Sequence, residues 1–250
     1  MTIDQSNKKF RINLANQYKV LSEILAKLTI DSSPITTAVT SLKNENDLPL
    51  ATPTSWGYRV KNLVFRQEPI SGIQYPKEGK LKSIKVTLDI DVKAEFRENK
   101  LDFNPFQLLE FNLTIEGLTK RDVKHILCFH LDRQPENSQS DEVHPAYHIH
   151  VGGHRLKSVP GENFGSSLFM GSPRLKHYPM DLILGIDFVT SNFCPGIHKK
   201  LRSEQRFIKL LRHSQELILK PYYCSLSRHF GFETNVANSW SAKDIFPQLI

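Results

Sequence analysis

The chain lacks several features that would classify it at once. No run approaches the ~20 apolar residues of a spanning helix, and the opening MTIDQSNKKF has no apolar segment behind its charges. Neither a membrane span nor a secretory leader is therefore expected, and a cytoplasmic protein is. Cysteine is scarce. Cys128, Cys194 and Cys224 are odd in number and form no Cys-x-x-Cys pair, which speaks against a disulfide framework and a structural zinc knuckle. The glycine-bearing stretch VPGENFGSSLFMGSPR has no Gly-Lys-Ser/Thr ending, so it is read as a loop and not as a nucleotide cradle. No His-Glu-x-x-His, zinc-finger, recognition-helix or RNP signature occurs, so base-specific reading of nucleic acid has no support. The hydrophobic share of 39% and charged share of 24% exclude a disordered or collagen-like chain.

What is present is unevenly distributed. Of the formal net charge of +7, nearly all falls between Pro195 and His229, where Lys199, Lys200, Arg202, Arg206, Lys209, Arg212, Lys220 and Arg228 face only Glu204 and Glu216. Within that segment Phe207, Leu210, Leu211, Ser214, Leu217 and Ile218 recur at helical spacing, which predicts one amphipathic helix capped by Ser203 and closed by Pro221. Arg202, Arg206, Lys209, His213 and Lys220 then form a stripe along it, interrupted by Glu216. Such a stripe attracts phosphates, or an acidic protein surface; its bland counterpart is a solvated helix face.

The remaining organisation predicts an α+β fold. Leu14, Tyr18, Leu21, Leu25 and Leu28 mark a helix from about Asn7 to Leu28, too short for a free coiled coil and so expected to pack on the chain's own sheet. Ser33 as cap and Pro34 at the first position open a short helix to Leu42, and residues 43 to 57 read as a loop. Ile84, Val86, Leu88, Ile90 and Val92 alternate with polar residues as a half-buried strand. Leu109 to Leu118, Val123 to Leu131 and Ala146 to Val151 give further strands, and Tyr58 to Gln67 an earlier one. Their connections are too short for crossover helices, which predicts an antiparallel meander of four to five strands packed against N-terminal and C-terminal helices. The connection from Asp132 to Pro145 is longer and acidic. Pro179 to Phe193 reads as a helix buried on most sides, and Asp187, on its apolar face, requires a partner. One domain is expected, with residues 1–30 helical, 58–154 the sheet and 179–229 the basic helical part.

Six of the ten histidines fall between His125 and His154. Period two places Cys128 and His130 on one strand face and His148 and His150 on one face of the next. If His130 stands opposite His148, then Cys128 stands opposite His150, with His144 and His154 at the rim. Those four residues would suit a divalent transition metal, or His148 and His150 would serve as an acid–base pair oriented by Asp187. Strand histidines also commonly stack on aromatics or donate to backbone, so a structural role stays open. A one-residue slip in register would disperse the group.

The stretch His148-Ile149-His150-Val151-Gly152-Gly153-His154 resembles the signature of the histidine-triad nucleotide hydrolases, in which three histidines alternate with apolar residues. His148 and His150 match two of them, but Gly152 stands where the third belongs, so no role is carried over. The order HPAYHIHVGG followed by SPRLKHYPMDLILGIDFVTSNF is similar to a pattern in bacterial proteins of about this size, some carried among antiviral defence genes. That resemblance covers the C-terminal half and implies a subunit of a prokaryotic multicomponent system, without catalytic residues.

Three functional readings follow. The first is a non-enzymatic basic subunit of an antiviral complex, needing no cofactor, that binds nucleic acid or an acidic protein through the 199–220 stripe and has no membrane role. The alternative is a histidine- or metal-dependent phosphoesterase or nuclease using the 144–154 cluster. The third is a scaffold docking through its N-terminal helix.

Overall fold

The computed structural model describes residues 2–44, 52, 54–68, 81–97, 104–120, 124–133, 145–152, 175–232 and 240–242. The expected loop at 159–174, most of those at 43–57 and 132–145, and the rim residues His144 and His154 lie outside them; of the expected loop 43–57, the last three residues are already strand. Helix α1 (Ile3–Lys27) begins four residues before the hydrophobic spacing does, because Thr2 and Gln5 cap it reciprocally: Thr2 Oγ1 accepts from the Gln5 N–H and Gln5 Oε1 from the Thr2 N–H. Helix α2 (Ser33–Lys43) starts one residue earlier than expected, with Ser32 as N-cap and Ser33 already helical.

Strands β1 (Ser55–Gln67), β2 (Leu81–Glu95), β3 (Phe106–Thr119), β4 (Lys124–Arg133) and β5 (Tyr147–Val151) form an antiparallel meander in chain order, and the two residues of β6 (Leu175–Lys176) extend it at the far edge. The α+β architecture and its meander are as the sequence pattern predicted. Pairing is in register along β2 and β3, with Ile90 opposite Phe111 and Leu88 opposite Leu113, and β1 carries a bulge between Val60 and Leu63.

The helices cover one face of this sheet. Helix α3 (Leu182–Phe193) lies on it through Phe188 against Phe111 and Phe193 against Phe129. It starts at Leu182 and not at Pro179, because Asp181 caps it by accepting from the Leu184 N–H. Tyr18 of α1 stacks edge-on against Tyr58 of β1 at 5.0 Å, so the N-terminal helix belongs to the chain's own core.

The basic segment is not one rod. Helix α4 (Pro195–Ser203) ends at Glu204, whose extended backbone (ψ 110°) turns the chain before α5 (Gln205–Ser214) begins. Glu204, not Ser203, is the cap, accepting from the Arg206 N–H. A π-helical turn (Gln215–Leu219) then leads into α6 (Lys220–His229), so the helical path passes Pro221 instead of stopping there. Proline lacks an N–H and its ring crowds the carbonyl four residues back; the wider π turn placed just before it accommodates both.

Close approach of α3 to the sheet depends on Gly185, where an added Cβ would stand 2.8 Å from Phe111 Cε2 and 3.3 Å from Ile90 Cδ1. Gly185→Ala is therefore expected to destabilise the protein by about 1–2 kcal/mol, since overpacking a core outweighs the ~1 kcal/mol gain in helix propensity. Urea unfolding reads the difference, and an unchanged midpoint would mean that Phe111 swings aside without loss.

Candidate metal centre and cationic surface

Antiparallel pairing places the chemistry on the face opposite α3. Arg59, Asp91, Glu110, Asp132, His148 and Lys176 occupy matched register positions on the six strands in turn, forming one row across the sheet. A second row, two residues along, runs Asp89, Asn112, His130 and His150 on β2 to β5. Neighbouring strands stand ~4.8 Å apart, so the side chains of these rows on β1 to β5 are neighbours without any loop to arrange them.

The hairpin register differs from the expected one by two residues. His130 stands opposite His150 and Asp132 opposite His148, while the Cys128 carbonyl accepts from the Gly152 N–H. A shift of two preserves the face, so the imidazoles still gather, but Cys128 faces Gly152 instead of His150 and is 3% exposed. The cluster that does form consists of Asp132, His148 and His150, whose ligand atoms all lie within 4.8 Å of one another. Asp132 is the residue that sequence reasoning missed. It continues the alternation of Cys128 and His130 by one step, and that alternation was the available signal; ending the strand at Leu131 hid it.

Each side chain is held from a second direction. His148 is 2% exposed, and its Nδ1 donates to the Pro145 carbonyl at 3.2 Å, which directs Nε2 at Asp132 Oδ1, 2.8 Å away. That Oδ1 is buried, and His148 is the imidazole that faces it. The other carboxylate oxygen faces His130 Nε2 at 3.0 Å, and His130 Nδ1 contacts Asn112 Oδ1. The ring of His150 stands edge-on to that of His148 at 4.7 Å. Burial pushes the Asp132 carboxyl up, but the hydrogen bonds and positive charge of His130 and His148 more than offset this and hold it well below the usual carboxylate range. Two imidazoles and a carboxylate form a nitrogen–oxygen donor set that suits zinc, iron(II) or manganese. His130 then remains as a half-buried imidazole beside the ligands.

Asp187 is not part of this group. It rides on α3 on the other side of the sheet, where Arg202 Nη2 reaches it at 2.8 Å and His198 Nε2 at 3.5 Å. The partner its burial required is thus Arg202, and it cannot orient His148 or His150.

The cationic stripe is also redistributed. Arg202 sits on α4 and Arg206 on α5, across the break at Glu204. Arg202 is matched by Asp187, and Arg206 by Glu23 at 3.3 Å and Glu204 at 3.6 Å. Lys199, Lys200, Lys209, Arg212 and Lys220 remain exposed, with no ion pair among the described residues, and His213 is exposed beside Arg212. This surface is on the helical side, so it and the histidine cluster are separate features.

A small apolar cavity of about 70 Å³ lies between α1, β1–β3 and the π turn, lined by Phe10, Leu14, Trp56, Phe106 and Leu217, with Asp181 in its wall. The Asp181 carboxylate is engaged there by the Leu184 N–H and the Ser214 hydroxyl. Burial pushes this carboxyl up from its ordinary value. Among the described residues no helix is long and apolar enough to cross a membrane. Comparison of the chain with protein-family models, curated proteins and solved structures found no match in any of the three.

A carboxyl depressed in the folded state contributes stability above its unfolded value, ~3.9, and loses that contribution as pH falls through the folded value. The advantage of the wild type over Asp132→Asn is therefore expected to be present at neutral pH and to shrink below about pH 4. Denaturant melts at a series of pH values read it, and a gap that widens on acidification would contradict the charge pairing.

Proposed function

We propose that the protein is a metal-dependent hydrolase, with Asp132, His148 and His150 holding a divalent transition metal and His130 acting as its acid–base neighbour. One observation carries this reading: the ligand atoms of Asp132, His148 and His150 all lie within 4.8 Å of one another, with Asp132 Oδ1 buried and 2.8 Å from His148 Nε2. A carboxylate and an imidazole at that separation can share a divalent cation in place of the proton that otherwise joins them. The fixing of His148 Nδ1 on a backbone carbonyl supports it, since ligating histidines are commonly oriented through their other nitrogen. A metal in this set supplies Lewis acidity and lowers the pKa of a bound water toward neutrality. His130, hydrogen-bonded to Asp132 and Asn112, is positioned to exchange a proton with that water or with a leaving group.

The substrate class that fits best is a phosphoester. Lys176 holds the register position opposite His148, so the strand row that carries Asp132 and His148 ends on a basic residue, which favours an anionic substrate. The basic-subunit reading is carried by a different surface and is independent of this centre.

The test is metal content and turnover in the same preparations. Titration with Zn²⁺ or Mn²⁺ is expected to show about one equivalent bound per chain, with affinity reduced at least ~100-fold in Asp132→Asn and His148→Ala. Chelator-sensitive hydrolysis of bis-p-nitrophenyl phosphate should fall by ~10²–10⁴ in kcat for His130→Ala while metal content is kept. Absence of stoichiometric binding for these and other first-row divalent ions, in protein shown to be folded, would remove the proposal. Turnover indifferent to His130 and Asp132 would do the same.

A further inference from the structure

The three most exposed large hydrophobic side chains among the described residues are neighbours in sequence: Tyr223 at 50%, Phe230 at 64% and Phe232 at 70%. Single exposed aromatics need no explanation, but these sit beside the cations that form no ion pair among the described residues. Arg212, Glu216, Lys220 and Tyr223 border one shallow depression that follows the π turn. Lys220, Tyr223 and Ser227 then succeed one another at steps of three and four, which keeps them on a single face of α6, and Phe230 follows at its C-cap. Lys209 continues the track toward the start of α5. From Lys209 to Phe230 the surface runs about 30 Å along the helical path.

We infer that this face binds single-stranded nucleic acid, with Lys209, Arg212 and Lys220 on phosphates and Tyr223 and Phe230 stacking on bases. Charge complementarity favours an anionic partner: three cations against one acid, Glu216, whose position in the depression thins the field without reversing it. The aromatics select among anionic partners. A duplex keeps its bases stacked inside, leaving exposed rings nothing to bind, whereas an unpaired strand offers a flat face to each ring. A lipid surface fits poorly, because α6 has already buried its apolar side, with Tyr222 4% exposed and ringed by Tyr223 and Trp240. The inference needs no contribution from the metal centre on the other face of the sheet.

Fluorescence anisotropy of the full chain with labelled single-stranded oligonucleotides, DNA and RNA, against the same sequence as duplex, tests it. The expected result is preference for single strands, with log K falling linearly in log salt by ~0.7 per phosphate contact. Arg212→Glu and Lys220→Glu should each weaken binding and flatten that slope. Tyr223→Ala should weaken it about tenfold or more with the slope unchanged, as loss of stacking requires. All three positions are exposed, so folding is expected to be retained, and circular dichroism checks it. Binding in the presence of EDTA should persist. Equal affinity for duplex, indifference to Tyr223→Ala and Phe230→Ala, loss of binding on chelation, or association with phosphatidylserine vesicles but not oligonucleotides would each overturn the inference.

Discussion

The proposed metal centre hangs on the pairing of β4 with β5. Antiparallel strands put directly opposed residues on the same face, and successive residues on opposite faces. One face of the sheet must meet the helices, so Phe129, Leu131, Tyr147 and Ile149 turn inward, and Cys128, His130, Asp132, His148 and His150 are forced to the other side. The histidines do not gather by chance attraction. They gather because burying their neighbours leaves them no other direction. The row of Arg59, Asp91, Glu110, Asp132 and His148 is produced by the same constraint acting on every strand.

The helical layer has its own fixed point. Asp181 caps α3 and accepts from Ser214 of α5, while the Tyr58 hydroxyl of β1 accepts from the Leu182 N–H and Tyr18 of α1 packs against Tyr58. Four elements therefore meet at one polar node inside an apolar layer. A buried carboxylate is costly, and its groups are all satisfied only when those elements hold this arrangement, which gives the layer a unique packing. Glu204 and the π turn then decide where the cations go: the first separates Arg202 from Arg206, and the second carries the path past Pro221, so that α6 presents its aromatics beyond Lys220.

The pattern of residues was a good guide to the elements and a poor guide to their meetings. Alternation in Ile84 to Val92 and the spacing of Leu14, Tyr18, Leu21 and Leu25 reported correctly which side chains are buried, since burial in a strand or helix is a local periodic property. The histidine face was legible for the same reason. Register was not, because shifts by two residues leave the periodic pattern unchanged and are settled by the connection and by packing across several strands. That is why spacing alone puts His150 and not Gly152 opposite Cys128, while Asp132 escapes the pattern because it lies beyond Leu131, the last apolar residue of β4. Asp187 was rightly expected to need a partner, but spacing alone does not show which side of the sheet a helix will cover.

The amino-acid order by itself determined the α+β class, the two faces of each strand, the concentration of positive charge after Pro195 and the crowding of histidines near residue 150. Those follow from composition and short-range periodicity, which any folded arrangement must respect. Only the tertiary structure decided that Asp132 joins His148 and His150, that Arg202 and Arg206 are matched by carboxylates, and that the cations left exposed lie beside Tyr223 and Phe230. The cluster and the pairs Arg202–Asp187 and Arg206–Glu23 are distances between residues well separated in the chain, and the exposed aromatic face depends on α6 continuing past Pro221; both are set by which elements pack together and in what register, quantities that no local pattern contains.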